Sequence, residues 1–476
     1  MELSIIPKPV KINYAEGVFS SKEKPSLIKK EVKIHEDGMI DTSAAQDGYR
    51  LIISKDNITA QAPSPAGIHN AEETFRQLLL SNYNDGCLTL PCAEIIDYPR
   101  FSWRGFMLDC SRYFYSVSFI KKLLDLLSLH HINRFHWHLT DDQGWRLPVK
   151  EYPLLTEIGS RRLDNRFPFP TYTEGFYTEE EIKSVVEYAS SRYIEVIPEV
   201  DLPGHASAIL ASYPGLGCSG GPYRVEDRFG IFEDALCAGN DQIFDMIEKI
   251  FDTLVNLFPS KWVHIGGDEV LFNRWQNCPK CQKKLKELNL EKINELQSWI
   301  TYRLAQMLKE RGKTAVGWDE VLEDSPKFKL PKDTVIMSWR GSEAGLKAAK
   351  LGHKVIMSPN TEGCYLDYKH SPEAEEIGRT LGTASVFDTY SMKAAPENIS
   401  KEDASNILGG HCTLFSEVIY AGKIAEYMLF PRLCALAEAV WTPENNKDFE
   451  DFSKRLIVHR KRLDSLDVNQ YRGKLK

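Results

Sequence analysis

The sequence lacks any long hydrophobic run. None of its apolar stretches approaches the roughly 18 residues that a membrane-spanning helix needs. The first ten residues also lack the basic region followed by an apolar run that marks a secretory signal. The sequence as given therefore predicts no membrane insertion and a cytoplasmic location.

The chain also lacks an excess of positive charge. Its 59 lysines and arginines are outnumbered by 67 aspartates and glutamates, which gives a net charge of −8. This balance argues against nucleic-acid binding and against docking on an anionic membrane surface. With 42% hydrophobic and 26% charged residues over 476 positions, the chain is predicted to be globular, with enough core for two or more domains.

Paired cysteines are scarce. Ten cysteines are scattered along the chain, and the CxxC spacing occurs once, at Cys278 and Cys281. A structural zinc site needs four ligands, and no second pair lies near this one in sequence. We therefore expect a reduced loop pair here, and we expect neither a metal ion nor a cofactor.

The pattern of the chain changes near residue 98. Before it lie short segments with alternating apolar residues and a helical pattern over residues 67–80, with Ala71, Phe75 and Leu78 on its apolar face. Strands with one packed helix predict a small α+β domain over residues 1–97, with an antiparallel sheet. Because this region offers no cluster of chemically reactive residues, we expect it to have a supporting role.

From residue 101 onward, short apolar runs alternate with longer helical patterns. Eight such runs occur, at residues 105–110, 134–139, 193–200, 262–267, 314–318, 334–339, 354–358 and 407–415. This α/β alternation predicts a (β/α)8 TIM barrel over residues 98–476, with helices at its C-terminal end. A doubly wound open sheet is the alternative, because it requires only a different strand count.

The fourth run ends in two glycines followed by two adjacent carboxylates, Asp268 and Glu269. Glycines allow a sharp bend or the close approach of a ligand. Two acids at the edge of a core are costly to desolvate unless they are paired or used, although the N-terminus of a helix would also accept them. In a barrel, active sites lie where the strands end, so this pair is a candidate active-site element.

The other runs bring further polar and aromatic side chains to the same rim. Aromatic rings can cover the C–H faces of a pyranose, and charged groups bind its hydroxyls. The combination predicts a sugar-binding pocket. Its candidate residues, besides Asp268 and Glu269, are Arg112, Asp141, His205, Trp318, Trp339, Tyr365, Asp367, Phe415 and Glu417.

His136 and His138 point the same way on a predicted strand, as an H-x-H metal pair does. This spacing is also found in metal-dependent amidohydrolase barrels, which place the pair on the first strand and add histidines on later strands. Here the later strand ends offer tryptophans instead. We interpret the pair as core residues that support the site, and the metal-dependent hydrolase remains an alternative.

The ordered series of motifs resembles the catalytic domain of family 20 glycoside hydrolases, the bacterial-type β-N-acetylhexosaminidases. The resemblance covers most of residues 98–445, and the first domain resembles the α+β domain that usually precedes this barrel. It implies an exo-acting enzyme that removes terminal non-reducing β-linked GlcNAc, and GalNAc as well, with retention. The matching stretches are residues 104–112, 136–145, 198–205, 264–269, 317–318, 338–339 and 365–367.

The resemblance implies substrate-assisted catalysis, in which the sugar's own 2-acetamido oxygen is the nucleophile. It assigns Glu269 as general acid and then base, with a pKa raised toward the working pH by burial and nearby acids. An ionised Asp268 and the Tyr365 hydroxyl hold the acetamido group. The remaining implied roles are hydroxyl binding by Arg112, Glu417 and Asp367, pocket walls from Trp318, Trp339 and Trp145, and support of Glu269 by Asp141, His205 and Asp201.

One residue departs from the family pattern. Phe415 stands where the family usually has a tryptophan beneath the sugar. A smaller ring still stacks but fills less volume, so the preference between GlcNAc and GalNAc is left open. The expected partner is an oligosaccharide or glycoconjugate with a terminal β-GlcNAc or β-GalNAc.

Two further functions fit the same rim residues. One is release of a disaccharide, as in a lacto-N-biosidase, which would need a longer pocket. The second is sugar binding without catalysis, and the presence of both Asp268 and Glu269 argues against it.

Cys218 and Cys237 flank a glycine-rich acidic loop after the third run. Some family members carry a disulfide at this place, whereas free thiols are expected in a reducing cytoplasm. The oligomeric state is left open by the sequence, with a homodimer as one option.

Overall fold

The computed structural model describes residues 2–22, 29–32, 45–165, 171–322, 327–396 and 399–476. Within these residues the first domain contains six strands and one α-helix. They are β1 (Lys11–Ser21), β2 (Lys29–Val32), β3 (Tyr49–Ile53), β4 (Ile58–Ala62), α1 (Pro65–Asn82), β5 (Tyr83–Asn84) and β6 (Cys87–Asp97).

These six strands form one sheet, in the order β1-β6-β3-β4-β2 with β5 beside β6. All described neighbours pair antiparallel except β2 and β4, which are parallel. Ser64 caps the N-terminus of helix α1, and its hydroxyl accepts the Gly67 N–H at 3.2 Å. Its buried residues, Ile68, Phe75 and Leu78 among them, pack on the sheet. The predicted α+β domain with an antiparallel sheet is confirmed, while its boundary at residue 97 stays a prediction.

The strands of the second domain are β7 (Trp103–Asp109), β8 (Arg134–His138), β9 (Thr140–Asp141), β10 (Gly144–Trp145), β11 (Arg161–Asp164), β12 (Thr171–Glu174), β13 (Glu195–Glu199), β14 (Trp262–His264), β15 (Thr314–Trp318), β16 (Val335–Ser338), β17 (Val355–Met357), β18 (Tyr368–Lys369), β19 (Arg379–Thr383) and β20 (Ile407–Leu414).

Its α-helices are α2 (Val117–Leu129), α3 (Leu154–Glu157), α4 (Glu179–Ser190), α5 (Ser207–Ser212), α6 (Gln242–Leu257), α7 (Asn273–Asn277), α8 (Pro279–Glu287), α9 (Glu295–Glu310), α10 (Ser342–Lys350), α11 (Val386–Ser391), α12 (Lys401–Ala404), α13 (Gly422–Leu429), α14 (Arg432–Trp441) and α15 (Phe449–Ser465). Among the helices of the described residues, none combines a bilayer-spanning length with an apolar composition.

Eight of these strands close into a parallel barrel, in the order β7-β8-β13-β14-β15-β16-β17-β20 and back to β7. Each overlaps one of the eight apolar runs of the sequence. Every residue of β7 is buried, because the helices cover the outer face and side chains fill the interior. The predicted (β/α)8 barrel is confirmed, and the open-sheet alternative is excluded by the closure of β20 on β7.

The two domains share buried contacts. Trp441, the last residue of α14, lies in the hydrophobic core of the first domain. Its indole N–H donates to Asp97 Oδ1 at 2.9 Å. The same carboxylate accepts the hydroxyl of Tyr49 at 2.8 Å and the backbone N–H of Val10 at 3.1 Å. One buried carboxylate therefore connects the barrel to two segments of the first domain.

The cysteine pairs are arranged differently from the sequence-based prediction. Cys218 and Cys237 lie directly beside Cys278 and Cys281, with all four sulfur atoms within 4.8 Å of one another. The argument that Cys278 and Cys281 lack a second pair therefore fails, because that pair is distant in sequence but adjacent in space. All ten cysteines are among the described residues, and each is unbridged.

Candidate active site

A cavity of about 470 Å³ opens where the barrel strands end. Nine of the eleven side chains predicted from the sequence line it, while Asp141 and Asp367 are buried and are not among the lining residues. The nine are Arg112, His205, Asp268, Glu269, Trp318, Trp339, Tyr365, Phe415 and Glu417.

A turn after β14 presents the two adjacent carboxylates to this cavity. Gly266 and Gly267 have φ angles of +66° and +98°, a region that favours glycine. A Cβ atom at position 267 would lie 2.5 Å from Val321 Cγ1, so space as well as conformation requires glycine there. Glu269 itself has a φ of +54°, which costs a non-glycine residue roughly 1–2 kcal/mol. Such strain is typical of functional sites.

His205 lies between the two acids. Its Nε2 atom is 3.5 Å from Asp268 Oδ2 and 3.6 Å from Glu269 Oε2. Its Nδ1 atom lies 3.0 Å from both Asp141 Oδ1 and Asp142 Oδ2. Burial alone would lower the pKa of His205, but the charge of Asp141 and hydrogen bonds to both aspartates raise that pKa well above its usual value. These contacts favour the imidazolium form of His205, whose Nε2 atom faces both carboxylates.

The electrostatics of the acid pair differ from expectation. Burial acts to raise the pKa of Glu269, but its hydrogen bond to His205 and the charge of that residue outweigh burial, so the pKa is lowered. Burial raises the pKa of Asp268 despite the opposing charge of His205. The predicted raised pKa of Glu269 is thus wrong for this structure. The reason is His205, whose hydrogen bond and charge outweigh the effect of burial at Glu269.

Arg112 is held rigidly at the cavity edge. Its Nη2 atom lies 2.7 Å from Asp141 Oδ2, its Nη1 atom lies 3.3 Å from Asp109 Oδ2, and its Nε–H donates to Gln143 Oε1 at 2.9 Å. Asp141 also contacts His138 at 2.9 Å, as well as His205. Asp141 therefore couples the guanidinium of the wall to the imidazolium behind the acids, from a position outside the cavity.

Arg379 is a lining residue that the sequence did not indicate. Its Nη1 atom lies 3.0 Å from Glu417 Oε1, and its Nε atom lies 3.6 Å from Asp367 Oδ2. Asp367 accepts the backbone N–H of Phe415 at 3.3 Å, and burial, opposed by Arg379, raises the pKa of Asp367 to about 7. Arg379 lies on β19 in a stretch without any motif, so no sequence signal could have identified it.

Aromatic rings form one wall of the cavity. Trp339 and Tyr365 stack with centroids 6.2 Å apart, and Phe415 lies 5.5 Å from Tyr365 and 6.4 Å from Trp318. The indole N–H of Trp339 donates to Glu320 Oε2 at 2.8 Å, which fixes the ring. These contacts give a surface of defined shape on which an apolar sugar face can stack.

The predicted supporting histidines lie beneath this wall. His136 Nε2 is 2.8 Å from Glu199 Oε2, and His138 contacts the same carboxylate. His264 Nδ1 is 2.8 Å from Glu199 Oε1, which also accepts the indole N–H of Trp318 at 3.0 Å. The histidines thus surround a buried carboxylate that holds one of the wall tryptophans.

Four apolar side chains that line the cavity were missed by sequence reasoning, and one predicted wall residue is not among the lining residues. Trp145, expected in the wall, is buried and donates its indole N–H to the Leu147 carbonyl. The missed residues are Phe229, Ile231, Leu381 and Val418. Phe229 and Ile231 flank a glycine in the acidic loop, and apolar residues in such a loop could have indicated part of a binding surface.

Comparison with known proteins places these features in a family. The family model described as glycosyl hydrolase family 20, catalytic domain, matches residues 101–444, and that of the family's domain 2 matches residues 29–98. A β-hexosaminidase of Porphyromonas gingivalis is 40% identical over 432 residues, or 90% of this chain and 55% of the relative. The chain thus spans about half the length of that relative. A β-hexosaminidase of Akkermansia muciniphila is 33% identical, covering 87% of this chain and 83% of the relative.

Solved structures agree with these sequence matches. A family 20 exo-β-N-acetylglucosaminidase from Vibrio harveyi, in complex with N-acetylglucosamine, has a TM-score of 0.87 at 30% identity, covering 99% of this chain and 78% of that one. A crystal structure of a β-N-acetylhexosaminidase has a TM-score of 0.89 at 30% identity, covering 99% and 97%. The resemblance inferred from the motifs is confirmed in both domains, and the chain belongs to glycosyl hydrolase family 20.

Proposed function

We propose that this chain, a family 20 glycoside hydrolase, releases single terminal non-reducing β-linked GlcNAc residues, and also GalNAc, from oligosaccharides or glycoconjugates. The position of Asp268 and Glu269 supports this best, because a single nitrogen of His205 lies 3.5 and 3.6 Å from them. Retaining glycosidases with a protein nucleophile place two carboxyls about 5–5.5 Å apart across the bond. Here both carboxylates come from consecutive residues of one turn and contact the same nitrogen, which favours a nucleophile supplied by the substrate instead.

The proposed reaction has two steps. The substrate's acetamido oxygen attacks the anomeric carbon while Glu269 gives its proton to the departing glycosidic oxygen, and the C–O bond breaks to leave an oxazolinium ion. Glu269 then takes a proton from water, which attacks the same carbon and restores the acetamido group, so the configuration is retained. Asp268 accepts the acetamido N–H and stabilises the positive charge, and the Tyr365 hydroxyl binds the acetamido oxygen.

Buried acceptor atoms at the site support these contacts. Asp268 Oδ1, Asp367 Oδ2 and Glu417 Oε2 are buried, and no hydrogen bond reaches them from the described residues. Buried polar atoms are nearly always hydrogen-bonded, so three such atoms at one site indicate a ligand rich in donors. The acetamido N–H would satisfy Asp268, and ring hydroxyls would satisfy the other two. Arg112 would donate to a further hydroxyl.

The shape of the cavity favours a single sugar at the chain end. At about 470 Å³ it lies in the lower part of the usual range for ligand pockets, roughly 300–1,000 Å³. Phe415, Trp318 and Trp339 would cover the apolar face of one pyranose ring. This supports exo-action, and it disfavours the disaccharide release of a lacto-N-biosidase.

Assays with aryl β-GlcNAc, β-GalNAc and β-glucoside substrates test the proposal. We expect turnover of the first two and none of the glucoside, which lacks the acetamido nucleophile. Glu269→Gln should lower kcat by about 10²–10⁴-fold with a poor leaving group, and Asp268→Asn should also lower kcat. Glu310→Gln, at an exposed site on α9, is the matched control.

Several results would contradict this function. Turnover of the glucoside would remove the role of the acetamido group, and full activity of Glu269→Gln would remove the acid assignment. Release of a disaccharide would favour a lacto-N-biosidase, and binding without turnover would favour a sugar-binding barrel. A cytoplasmic location and a homodimer stay predictions, to be tested by cell fractionation and by sedimentation.

A further inference from the structure

Four cysteine side chains converge beside the barrel, outside the cavity. Cys237 Sγ lies 3.7 Å from Cys278 Sγ and 3.6 Å from Cys281 Sγ, and Cys218 Sγ lies 3.8 Å from Cys281 Sγ. Three of the four residues are buried, and Cys218 is half-buried. They come from two chain segments, residues 218–237 and 278–281, that are separated by helix α6 and strand β14.

These distances match one metal geometry. Four sulfurs held tetrahedrally at about 2.3 Å from a zinc ion lie about 3.8 Å from one another. A disulfide would require a sulfur separation of about 2.05 Å and would join only two residues. Cys237 instead has two sulfur neighbours at nearly equal distance. The arrangement is therefore that of a tetrathiolate site.

The local backbone is shaped for such a site. Gly217 and Leu236 form an antiparallel bridge that sets Cys218 beside Cys237. Cys278 is the N-cap of α8, so Cys278 and Cys281 lie at the first turn of a nine-residue helix. Thiolates are stabilised at a helix N-terminus, where unpaired backbone N–H groups and the helix dipole favour negative charge.

Gly239 provides an independent observation. A Cβ atom at this position would lie 2.1 Å from the carbonyl carbon of Lys280 and 2.4 Å from the nitrogen of Cys281, so the two backbones approach too closely for any side chain. Glycine at position 239 therefore allows the segment after Cys237 to lie directly against the CxxC turn.

We propose that Cys218, Cys237, Cys278 and Cys281 bind one structural zinc ion. This site departs from the sequence-based expectation of a protein without metal. Four protein ligands leave no open coordination position, so the ion supplies structure and not chemistry. It takes no part in the proposed hydrolysis.

The zinc ion would stabilise two segments that form the active site. The loop of residues 219–236 carries Phe229 and Ile231 to the cavity mouth. The same loop donates the Glu226 N–H to the Asp142 carbonyl at 3.0 Å and accepts Gln143 Nε2 at the Arg228 carbonyl at 2.8 Å. The other segment begins at the turn that carries Glu269 and reaches Cys278 nine positions later. A zinc ion would connect Cys218 and Cys237, which flank the loop, to Cys278, which ends the second segment.

Metal analysis of the intact chain tests the proposal. The protein is purified without chelators and without a metal-affinity tag, dialysed against zinc and then against metal-free buffer, and measured by plasma mass spectrometry. We expect about one zinc ion per chain in the wild type. The same zinc content is expected in Cys87→Ser, which alters a cysteine of the first domain as a matched control.

Two substitutions of the half-buried Cys218 distinguish loss of a zinc ligand from misfolding. Cys218→His retains a zinc ligand and should keep more zinc than Cys218→Ser, which should lose most of it. Cobalt substitution of the wild type should give the intense visible absorption of a tetrahedral thiolate centre. Equal zinc in all four proteins, zinc below about 0.1 per chain in the wild type, or iron in place of zinc would overturn the assignment. A disulfide among these residues in peptide mapping would do so as well.

The structural role has its own readout. Zinc displaced by a mercurial reagent and followed with a chromogenic chelator should lower the melting temperature and raise KM for the aryl substrate more than it lowers kcat. Loss of kcat at unchanged KM and melting temperature would indicate a catalytic ion and would overturn the structural role.

Discussion

Gly266 lies so close to Asp201 that a Cβ atom at position 266 would be 1.6 Å from the Asp201 Oδ1 atom. The same oxygen accepts the Gly267 N–H at 3.0 Å. Asp201 therefore holds the turn that presents the two adjacent carboxylates, and it can do so only against glycine. Through this contact, the position of Glu269 depends on a residue that does not touch the cavity.

Gly266→Ala is expected to displace this turn. Because a shift of about 1 Å in catalytic groups can cost about 10²-fold in rate, we expect kcat/KM to fall at least that far. Gly312→Ala is the matched control, since Gly312 has a similar φ of +71° but open space around its Cβ position. Steady-state kinetics and melting temperatures of both variants provide the check. Equal activity of the two would show that the Asp201 contact does not control the turn.

The pH profile should report the charge of His205. A general acid works only while protonated, so activity falls as the pH rises through the pKa of Glu269. His205 lowers that pKa. Replacing the imidazolium by a neutral side chain in His205→Gln should therefore move the alkaline limb of kcat/KM to higher pH, along with a lower maximum. His69→Gln, in the first domain, is the control. An alkaline limb of kcat/KM that stays at the wild-type pH in His205→Gln would refute the effect of His205 on the pKa of Glu269.

Wild-type profiles should differ between the two kinetic constants. The profile of kcat/KM reports the free enzyme, whereas kcat reports the enzyme–substrate complex. A bound sugar would cover the partly exposed Glu269 side chain and raise its pKa. The alkaline limb of kcat should thus lie at higher pH than that of kcat/KM, and coincident limbs would contradict this.

Arg379 should matter more than its absence from any motif suggests. Removing its charge in Arg379→Met would leave Glu417 and Asp367 without their shared cation. Truncating one partner of such a pair typically costs 2–5 kcal/mol, so we expect a loss of kcat/KM of about 10²-fold or more. Arg379→Lys should lose less kcat/KM, because lysine keeps the positive charge. Some loss should remain, because lysine lacks the planar guanidinium that contacts both carboxylates. Arg161→Met removes an exposed ion pair and should be nearly neutral, and a neutral Arg379→Met would reject the role.

Phe415 should contribute through its aromatic face. Its ring is flanked by Tyr365 and Trp318, with the guanidinium of Arg112 5.5 Å from its centroid. Phe415→Leu keeps most of the volume but removes the ring, and Phe415→Ala removes both. If stacking dominates, both should raise KM by about 5- to 10-fold, since an aromatic pair contributes about 0.5–1.5 kcal/mol beyond its buried area. A leucine variant with wild-type KM would show that volume alone matters.

The barrel was predictable because of where its strands lie. Parallel strands covered on both faces are apolar throughout, so the eight runs stand out from the helical patterns between them. The acids at 268 and 269 were likewise indicated by a local signal, two glycines at a strand end. Motifs that occupy consecutive positions can be recognised in one sequence.

Features that depend on distant segments were not predictable. Arg379 reaches the cavity from a short ribbon whose placement no local pattern specifies. The lowered pKa of Glu269 follows from the ring position of His205, 64 positions earlier in the chain. The two cysteine pairs meet only because residues on either side of α6 return to the same place. Each of these is a property of tertiary packing, which sequence spacing does not contain.

The position of Trp441 has a consequence for how the chain can be divided. Its indole fills the core of the first domain although the residue belongs to the barrel's own helix α14. A truncation that keeps only the barrel would uncover this ring and leave its N–H without the Asp97 acceptor. The small domain thus buries a residue of the barrel's own helix, and attempts to build a minimal enzyme or to exchange this domain must retain or replace the contacts of Trp441.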